Sequence, residues 1–370
     1  MDYVERIDRV CKNVIEPNSI RVDKEGVFPH EAIAALKQEG LLGLISAKPV
    51  GGQGQDLHAA AQVILRIAQD CPSTAMVLCM HYCATAVLEA QGSDAVRTAI
   101  ANGEHLSTLA FSEAGSRSHF WAPVSTAERI GDTIHLNAHK SWVTSAFEAD
   151  SYVWSSQSLS QTGSTLWLVA SDLAGLSQPG KFDGLGLRGN ASTPIVAQNV
   201  TIPADCQLGQ DGKGFDTMMG VVLPWFSVLS AACCVGLCHG ILERAIGHVA
   251  ATKHIHLSTS LADLPTIRAY LARAKIQTDA AATLLQDTIF AIQTERADSM
   301  LRVLEVKAAA SETALNVSET AMRVCGGAAF RKEAGIERLF RDARASYVMA
   351  PTSDVLYDFI GKAITGLPLF

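Results

Sequence analysis

Apolar residues recur at helical spacing over the first hundred residues of the chain. Segments 7–14, 57–68 and 76–88 each keep a period close to 3.6 residues. The last of them follows a Pro-Ser-Thr stretch at 72–74, which is a typical helix start. We therefore predict a helical N-terminal domain over residues 1–105.

The period shortens to two between residues 106 and 212, and strand-forming residues dominate there. Glycine and aspartate pairs, such as those at 131–132 and 183–184, supply turns between the apolar runs. Short strands at this spacing predict a β-sandwich or barrel as the middle domain. The predicted strands cover residues 133–137, 151–155, 165–169 and 195–202.

From residue 213 to residue 370 the pattern is helical again. Long segments rich in Ala and Leu predict a four-helix C-terminal bundle, so the complete chain is an α+β protein. A helical N-domain, a β middle domain and a helical C-domain follow one another in that order. The predicted C-terminal helices cover residues 224–250, 264–292, 297–325 and 353–365.

The first of these C-terminal helices could be either a membrane-spanning helix or a buried core helix. The segment between Asp216 and Glu243 has no formal charge, and its apolar part is long enough to span a bilayer. Pro224, Gly236 and Gly240 interrupt it, however, and no aromatic belt or basic flank closes its C-terminal end. We predict a buried core helix, because a helix that is apolar on all sides suits the centre of a bundle.

Composition narrows the classes of function. The chain has 370 residues, of which 48% are hydrophobic and 18% are charged, and its net charge is −7, which argues against disorder and against a nucleic-acid-binding surface. The N-terminus is charged from its second residue and lacks an apolar segment, so no secretory signal is expected. Nine cysteines without a C-x-x-C pair indicate reduced thiols, and we expect a cytoplasmic protein with no metal site.

Short motifs follow one another at regular places along the three predicted domains. They are PVGGQG at 49–54, FSEAGSRS at 111–118, KSWVTSA at 140–146, GLR at 186–188, GKGF at 212–215, CGG at 325–327 and ERLFRDA at 337–343. Each motif alone is weak, but their order and intervals are specific. Over essentially the whole chain they resemble the acyl-CoA dehydrogenase superfamily of flavoproteins.

The resemblance implies a flavin cofactor, FAD or alternatively FMN. The backbone around Phe111 and the side chain of Ser112 would hydrogen-bond the pyrimidine edge of the flavin. Trp142 would pack against the ring, and the hydroxyl of Thr144 would lie near its N5. Taken alone, Trp142 on an alternating strand would be more typical of a sandwich core.

The same resemblance implies residues for the other end of the cofactor. Ser118 would lie near the pyrophosphate or the thioester arm of the substrate, and Thr352 would help to hold the adenosine half. Gly326 and Gly327 would let backbone approach the cofactor of a neighbouring subunit, since glycine has no Cβ. A Gly-Gly pair alone is more often a turn. Because such sites are shared across a dimer face, the resemblance implies a homodimer or homotetramer.

The chain departs from the family at the catalytic base. Dehydrogenases of the family remove the substrate α-proton with a Glu whose position is occupied here by Ala350, which cannot take a proton. Some members carry this Glu on the first C-terminal helix, where the matching residue is Phe226. Asp354 could be a displaced base, although one helical turn, about 6 Å, exceeds hydrogen-bond reach.

Histidines are the remaining candidates for proton transfer. Loss of the base with retention of the flavin motifs resembles an oxygenase branch of the superfamily, which includes the flavoprotein of tropodithietic acid biosynthesis. His81 and His119 could exchange protons near neutrality, because an ordinary histidine has a pKa of about 6.5. The structural alternative to a catalytic role is a helix-core histidine for His81 and a surface-loop residue for His119. His254 and Leu257 replace a basic and an aromatic residue of the family, so we expect the contacts that hold the cofactor to differ from those of the family.

We therefore expect an FAD-dependent oxygenase or oxidase that uses O2. Its substrate would be an acyl group carried as a thioester by CoA or by a carrier protein. Two alternatives stay open: an ordinary acyl-CoA dehydrogenase with a displaced base, and a non-catalytic scaffold subunit that pairs with a catalytic homologue. No nucleic acid and no membrane are expected as partners.

Overall fold

The N-terminal part of the computed structural model is helical, and the structure describes residues 2–256 and 258–369. Leu257, which the resemblance places where the family has an aromatic residue, lies outside the described residues. A π-helical turn, Cys11–Ile15, joins the first two helices. The helices are α1 (Tyr3–Val10), α2 (Glu16–Glu25), α3 (His30–Gln38), α4 (Leu57–Asp70), α5 (Pro72–Gln91) and α6 (Asp94–Ala101).

Local chemistry explains where the two longest N-terminal helices begin. Asp56 caps α4, because its carboxylate accepts the backbone N–H of Ala59 at 3.0 Å. Pro72 opens α5, where its missing N–H costs nothing. Almost every side chain of α5 between Pro72 and Leu88 is buried, so this helix lies in the centre of the fold.

The middle part is a β-sandwich, as predicted. One sheet has the order β1-β4-β5-β8 and a second has the order β2-β3-β7-β6; β1 and β4 are parallel, and the other pairs are antiparallel. Trp154, Trp167 and Ile195 are among the buried residues of the core that the sheets share. The strands are β1 (Ser107–Ala110), β2 (Thr126–Ile130), β3 (Thr133–Val143), β4 (Ser151–Gln157), β5 (Ser164–Ala170), β6 (Leu176–Ser177), β7 (Thr193–Pro203) and β8 (Gln207–Leu208).

The C-terminal part is helical apart from a short hairpin, β9 (Lys253–His254) and β10 (Thr259–Ser260). A π-helical turn, Met218–Val222, joins α7 to α8. The predicted α+β fold with its three successive parts is confirmed. The helices are α7 (Gly214–Thr217), α8 (Leu223–Ala251), α9 (Pro265–Gln293), α10 (Ser299–Cys325), α11 (Ile336–Val348) and α12 (Ser353–Thr365).

Helix α11 was not predicted, although it carries the ERLFRDA motif. Its buried face includes Arg338 and Asp342, so the apolar period is broken. Asp342 accepts the backbone N–H of Leu187 at 2.6 Å, and a Cβ on Gly186 would lie 2.4 Å from the carbonyl oxygen of Arg341. The GLR and ERLFRDA motifs are therefore in direct contact in the fold.

Helix α8 is a core helix. A Cβ on Gly236 would lie 2.2 Å from the carbonyl oxygen of Leu65, and one on Gly240 would lie 2.1 Å from that of Gln69, so the glycines permit close packing against α4. The ranges Pro72–Gln91 and Gly214–Ala251 are long and apolar enough to cross a membrane, but 78% and 83% of their most apolar windows are buried within the fold. This burial agrees with the predicted core role of the second range.

Candidate functional site

A buried ion pair fixes the FSEAGSRS loop to strand β3. Glu113 accepts a hydrogen bond from the Lys140 ammonium at 2.5 Å and bonds from the backbone N–H groups of Val124 and Ser125 at 2.7 and 2.9 Å. The Lys140 and Glu113 side chains are 0% and 1% exposed. Ser112 adds to this connection, because its carbonyl oxygen accepts the N–H of Ser141 at 2.8 Å. The loop is thus held by the strand that carries the KSWVTSA motif.

Both members of this pair are charged at neutral pH. Burial lowers the pKa of Lys140 to about 8, against the opposing attraction of Glu113. Burial alone would raise the pKa of Glu113, but Lys140 and the hydrogen-bond donors outweigh it and hold the pKa below its ordinary value. The pair is therefore a charged, fully hydrogen-bonded anchor for the loop.

Trp142 projects away from the sandwich rather than into its core. Strand β3 has a register irregularity between Lys140 and Val143, and Trp142 has a φ of 55° and is 71% exposed. The core interpretation of this residue is therefore wrong. Thr144 follows in a buried position, with its hydroxyl 3.0 Å from that of Ser192. An exposed indole at a bulge offers a flat apolar surface for a ring system.

Ser118 and Thr352 meet although they are 234 residues apart in the chain. The backbone N–H of Thr352 donates to the Ser118 hydroxyl at 2.9 Å, and that hydroxyl lies 3.2 Å from the hydroxyl of Thr352. The hydroxyls of Ser116 and Ser353 close by in sequence are buried, and neither has a partner among the described residues. This contact joins the FSEAGSRS loop to the start of α12.

The donors at this contact fit the diphosphate of a dinucleotide flavin. Helix α12 begins without a side-chain cap, so an anion could accept hydrogen bonds from the backbone N–H groups of its first turn. The hydroxyls of Ser118 and Thr352 meet at that helix start, and the buried hydroxyls of Ser116 and Ser353 lie close to them in sequence. With Trp142 for the ring, these residues would hold FAD.

His119 and Asp354 line the same open groove, whose volume is about 370 Å³. Both are exposed. The indole of Trp121 lies between the ring of His119, at a centroid distance of 5.1 Å, and the ring of Phe359, at 5.5 Å. Lys362 lies at the same groove, 2.9 Å from Asp358. The structure therefore brings two of the predicted catalytic residues together, next to the contact between Ser118 and Thr352.

His81 is separate from that groove. It is 0% exposed; its Nε2–H donates to the carbonyl oxygen of Leu42 at 3.1 Å, and its Nδ1 accepts the N–H of Ser107 at 3.2 Å. Burial lowers its pKa to about 4. Both ring nitrogens are occupied by backbone groups, which supports the helix-core alternative for this residue.

The two positions at which the resemblance implies a catalytic base, Ala350 and Phe226, both lie near the ammonium of Lys307. Its ammonium donates to the carbonyl oxygens of Met349 at 3.0 Å and Pro351 at 2.8 Å, which flank Ala350. The same nitrogen lies 5.9 Å from the centroid of the Phe226 ring. A buried cation therefore occupies this region, and neither position supplies a carboxylate.

The remaining predicted residues lie elsewhere on the surface. Gly326 and Gly327 form an exposed turn after α10, where an added Cβ would meet nothing within 4 Å. Gly326 has a φ of 54°, which explains the need for glycine there. His254 lies on β9, and its Nδ1 is buried without a partner among the described residues. Their proposed contact with a neighbouring cofactor stays a prediction.

The sequence interpretation missed Glu113 and Lys307. Glu113 lies inside a quoted motif, and pairing it with Lys140 was possible from the buried alternation of β3. Lys307 precedes three alanines in an apolar face of α10, and a lone charge in such a face is the signal that could have identified it. In the described ranges, no group of three or more His, Cys, Asp and Glu residues could hold a metal ion.

Three family models match the chain in order. They are described as acyl-CoA dehydrogenase N-terminal domain, at residues 2–103, middle domain, at residues 108–200, and C-terminal domain, at residues 212–365. Among curated proteins, the mitochondrial short-chain specific acyl-CoA dehydrogenase of Homo sapiens is 27% identical over 359 residues, which cover 94% of this chain and 86% of that protein.

Solved structures of the same fold include both a dehydrogenase and an oxidase. Butyryl-CoA dehydrogenase from Megasphaera elsdenii has a TM-score of 0.92 at 22% identity and covers 98% of this chain and 97% of its own. The prolyl acyl carrier protein oxidase AnaB has a TM-score of 0.89 at 20% identity, covering 98% of both chains. FMN-bound TdsC from Paenibacillus sp. A11-2 has a TM-score of 0.89 at 19% identity, covering 99% and 98%.

Proposed function

The chain belongs to the acyl-CoA dehydrogenase superfamily, and from that premise we propose that it is a flavin-dependent oxidoreductase acting on an acyl thioester of CoA or of a carrier protein. Similarity to the human short-chain specific acyl-CoA dehydrogenase and to the prolyl acyl carrier protein oxidase supports the two kinds of thioester. FAD is the expected cofactor and FMN the alternative, as in TdsC. When bound, the flavin supplies two-electron redox chemistry and reactivity toward O2.

Use of O2 is the finer part of the proposal, and one observation carries it. Neither Ala350 nor Phe226 can take a proton, and the charged group near both positions is the ammonium of Lys307. A general base must lie within hydrogen-bond reach of the proton that it removes, and an ammonium has no lone pair to accept one. Abstraction of the α-proton by a carboxylate at either position is therefore unsupported, which favours a reaction in which reduced flavin activates O2.

The leading reaction is a monooxygenation. One oxygen atom of O2 enters the acyl group and the other leaves as water, with two electrons and two protons supplied by an external nicotinamide-linked reductase. An oxidase reaction, the second form of the proposal, transfers two electrons and two protons from the substrate to O2 and gives H2O2. That form would need a proton acceptor, for which His119 is the candidate because it is exposed in the groove.

The residues of the chain would divide this work by position. Glu113 and Lys140 hold the loop, Trp142 offers a face to the ring, and Ser118 binds the diphosphate. Thr352, for which the resemblance implied a place at the adenosine half, is assigned to the diphosphate instead because it hydrogen-bonds Ser118. These are roles in binding and orientation. Phe111, stacked against Phe120 at 6.3 Å, would present the backbone of the loop start to the flavin, with Ser112 and Thr144 beside it.

An ordinary dehydrogenase is the second candidate, favoured by one observation. Asp354 lies in the groove with His119 and could act as a displaced base. The groove residues do not include Ala350, however, which weakens this alternative.

A scaffold subunit is the third candidate, and failure of the purified protein to bind a flavin would favour it.

We further propose a cytoplasmic homodimer or homotetramer. The exposed turn at Gly326 and Gly327 and the neighbouring Phe330, which is 79% exposed, form a surface that a second copy could cover. Ile255 next to His254 is 92% exposed and would contribute in the same way.

The experiment that tests the proposal has two stages. The visible absorption spectrum of the purified protein and chromatography of the heat-released cofactor would identify FAD or FMN. The holoprotein would then be incubated with a panel of acyl-CoA and acyl-carrier thioesters, a reductase and isotopically labelled O2. Label in the acyl product supports the oxygenase, H2O2 without label supports the oxidase, and O2-independent dye reduction supports the dehydrogenase.

A further inference from the structure

Lys307 is a buried cation with an unusual set of partners. Its side chain is 0% exposed on α10, and its ammonium donates to two backbone carbonyls, those of Met349 and Pro351. Within the described ranges no carboxylate forms an ion pair with it. A lysine is rarely buried in this way without an acid, since removing its charge from water is costly.

The bonds of Lys307 hold a turn whose next residue belongs to the cofactor site. Met349, Ala350 and Pro351 connect α11 to α12, and Thr352 follows directly. The backbone N–H of Thr352 donates to the Ser118 hydroxyl at 2.9 Å. The Lys307 ammonium is thus connected, through one turn of backbone, to the contact that joins α12 to the FSEAGSRS loop.

We propose that Lys307 is a positioning residue that sets the turn 349–351, so that Thr352 meets Ser118 and the start of α12 is aimed at the flavin diphosphate. This inference rests on the proposed flavin function and extends it to a residue that does not touch the cofactor. The charge has a physical use here: hydrogen bonds from an ammonium are stronger than neutral ones and fix two carbonyls at once.

The opposing interpretation is that Lys307 merely packs α10 against its neighbours. Ser311, one turn further along α10, provides a matched control, because its hydroxyl donates to the carbonyl oxygen of Ser346 at 3.3 Å. Ser311→Ala loosens the same helix face but leaves the 349–351 turn in place. A packing role therefore predicts similar effects of both substitutions, whereas a positioning role predicts a difference.

The test is a double-mutant cycle on flavin binding to the apoprotein of the full chain. The variants are Lys307→Met, Ser118→Ala and the double variant, with FAD affinity followed by fluorescence quenching and the visible circular dichroism of the bound flavin. Each single change should weaken binding about tenfold, as expected for one lost polar hydrogen bond. The double variant should also lose about tenfold, not the product of the two, because both changes disrupt one unit.

Several outcomes would overturn the inference. Additive losses in the cycle, or an equal loss of FAD affinity in Ser311→Ala, would make Lys307 a packing residue. Should Lys307→Met fail to fold, Lys307→Gln replaces it, since its amide keeps a donor without the charge. If the wild-type protein binds neither FAD nor FMN, both this inference and the proposed function fail; if it binds flavin and the cycle is additive, only the inference about Lys307 fails.

Discussion

Acid sensitivity of folding is the sharpest consequence of the buried His81. Burial lowers its pKa to about 4, from an ordinary value of 6.5. Between these values the unfolded chain binds a proton at this residue while the folded protein does not, so the free energy of unfolding falls as the pH is lowered. At about 1.4 kcal/mol for each pH unit, the full loss approaches 3 kcal/mol near pH 4.

A matched variant isolates this contribution. His81→Gln removes the titration, and its amide N–H₂ can still donate to the carbonyl oxygen of Leu42. Urea unfolding of holoprotein at pH 7.5 and pH 4.5 should show a loss in the wild type that exceeds the loss in the variant by about 2–3 kcal/mol. Titrating groups that do not interact with His81 cancel in this difference, and the groups that do interact with it are His105 and Asp150.

Two results would refute the reasoning about His81. Equal losses in the wild type and in His81→Gln would mean that the imidazole does not resist protonation in the folded state. An NMR titration that finds a pKa near the ordinary value for His81 would lead to the same conclusion. The variant also tests the catalytic alternative, because a helix-core histidine can be replaced without loss of flavin binding or turnover, whereas a catalytic one cannot.

Other predictions concern the cofactor loop and the base. Glu113→Ala should lower the free energy of unfolding by about 3–5 kcal/mol and release flavin, because it leaves Lys140 buried without its partner. Calorimetry and measurement of the flavin content check this prediction, and Glu128→Ala at an exposed position is the control expected to have no effect. Trp142→Ala should weaken flavin binding about three- to tenfold by titration without changing the thermal unfolding of the apoprotein, since the indole is 71% exposed. Ala350→Glu should raise the rate of dye-linked oxidation of acyl-CoA by about a hundredfold, because it supplies a carboxylate at the implied base position. An unchanged rate would mean that position 350 does not face the substrate α-proton. Asp354→Asn should keep its turnover, and a large loss would restore the displaced-base alternative.

Elements with regular apolar patterns could be predicted from the sequence. Helix α12 was predicted at its observed bounds, and the predicted strands fall within β3, β4, β5 and β7. Helix α11 was missed because its buried polar residues are satisfied from far away in the chain. Arg338 donates to the carbonyl oxygen of Asp70, 268 residues distant, and Asp342 accepts from Leu187, 155 residues distant.

The candidate site could be predicted only in part, because its contacts also join residues that are far apart in the chain. Motif resemblance identified Ser118 and Thr352 separately, and the structure joins them across 234 residues. It identified His81 by position on a helix, but which backbone groups meet the ring nitrogens depends on how α5 packs. Lys307 was missed because the sequence shows a lysine in a helix, whereas its importance comes from two carbonyls on a distant turn.

The reaction of the reduced holoprotein with O2 tests the central claim most directly. The protein would be reduced anaerobically and mixed with oxygenated buffer in a stopped-flow instrument, with butyryl-CoA dehydrogenase reduced and mixed in parallel. The account predicts that this protein is reoxidised clearly faster than the dehydrogenase. Reoxidation as slow as that of the dehydrogenase, together with rapid reduction of the oxidised protein by an acyl-CoA, would contradict it.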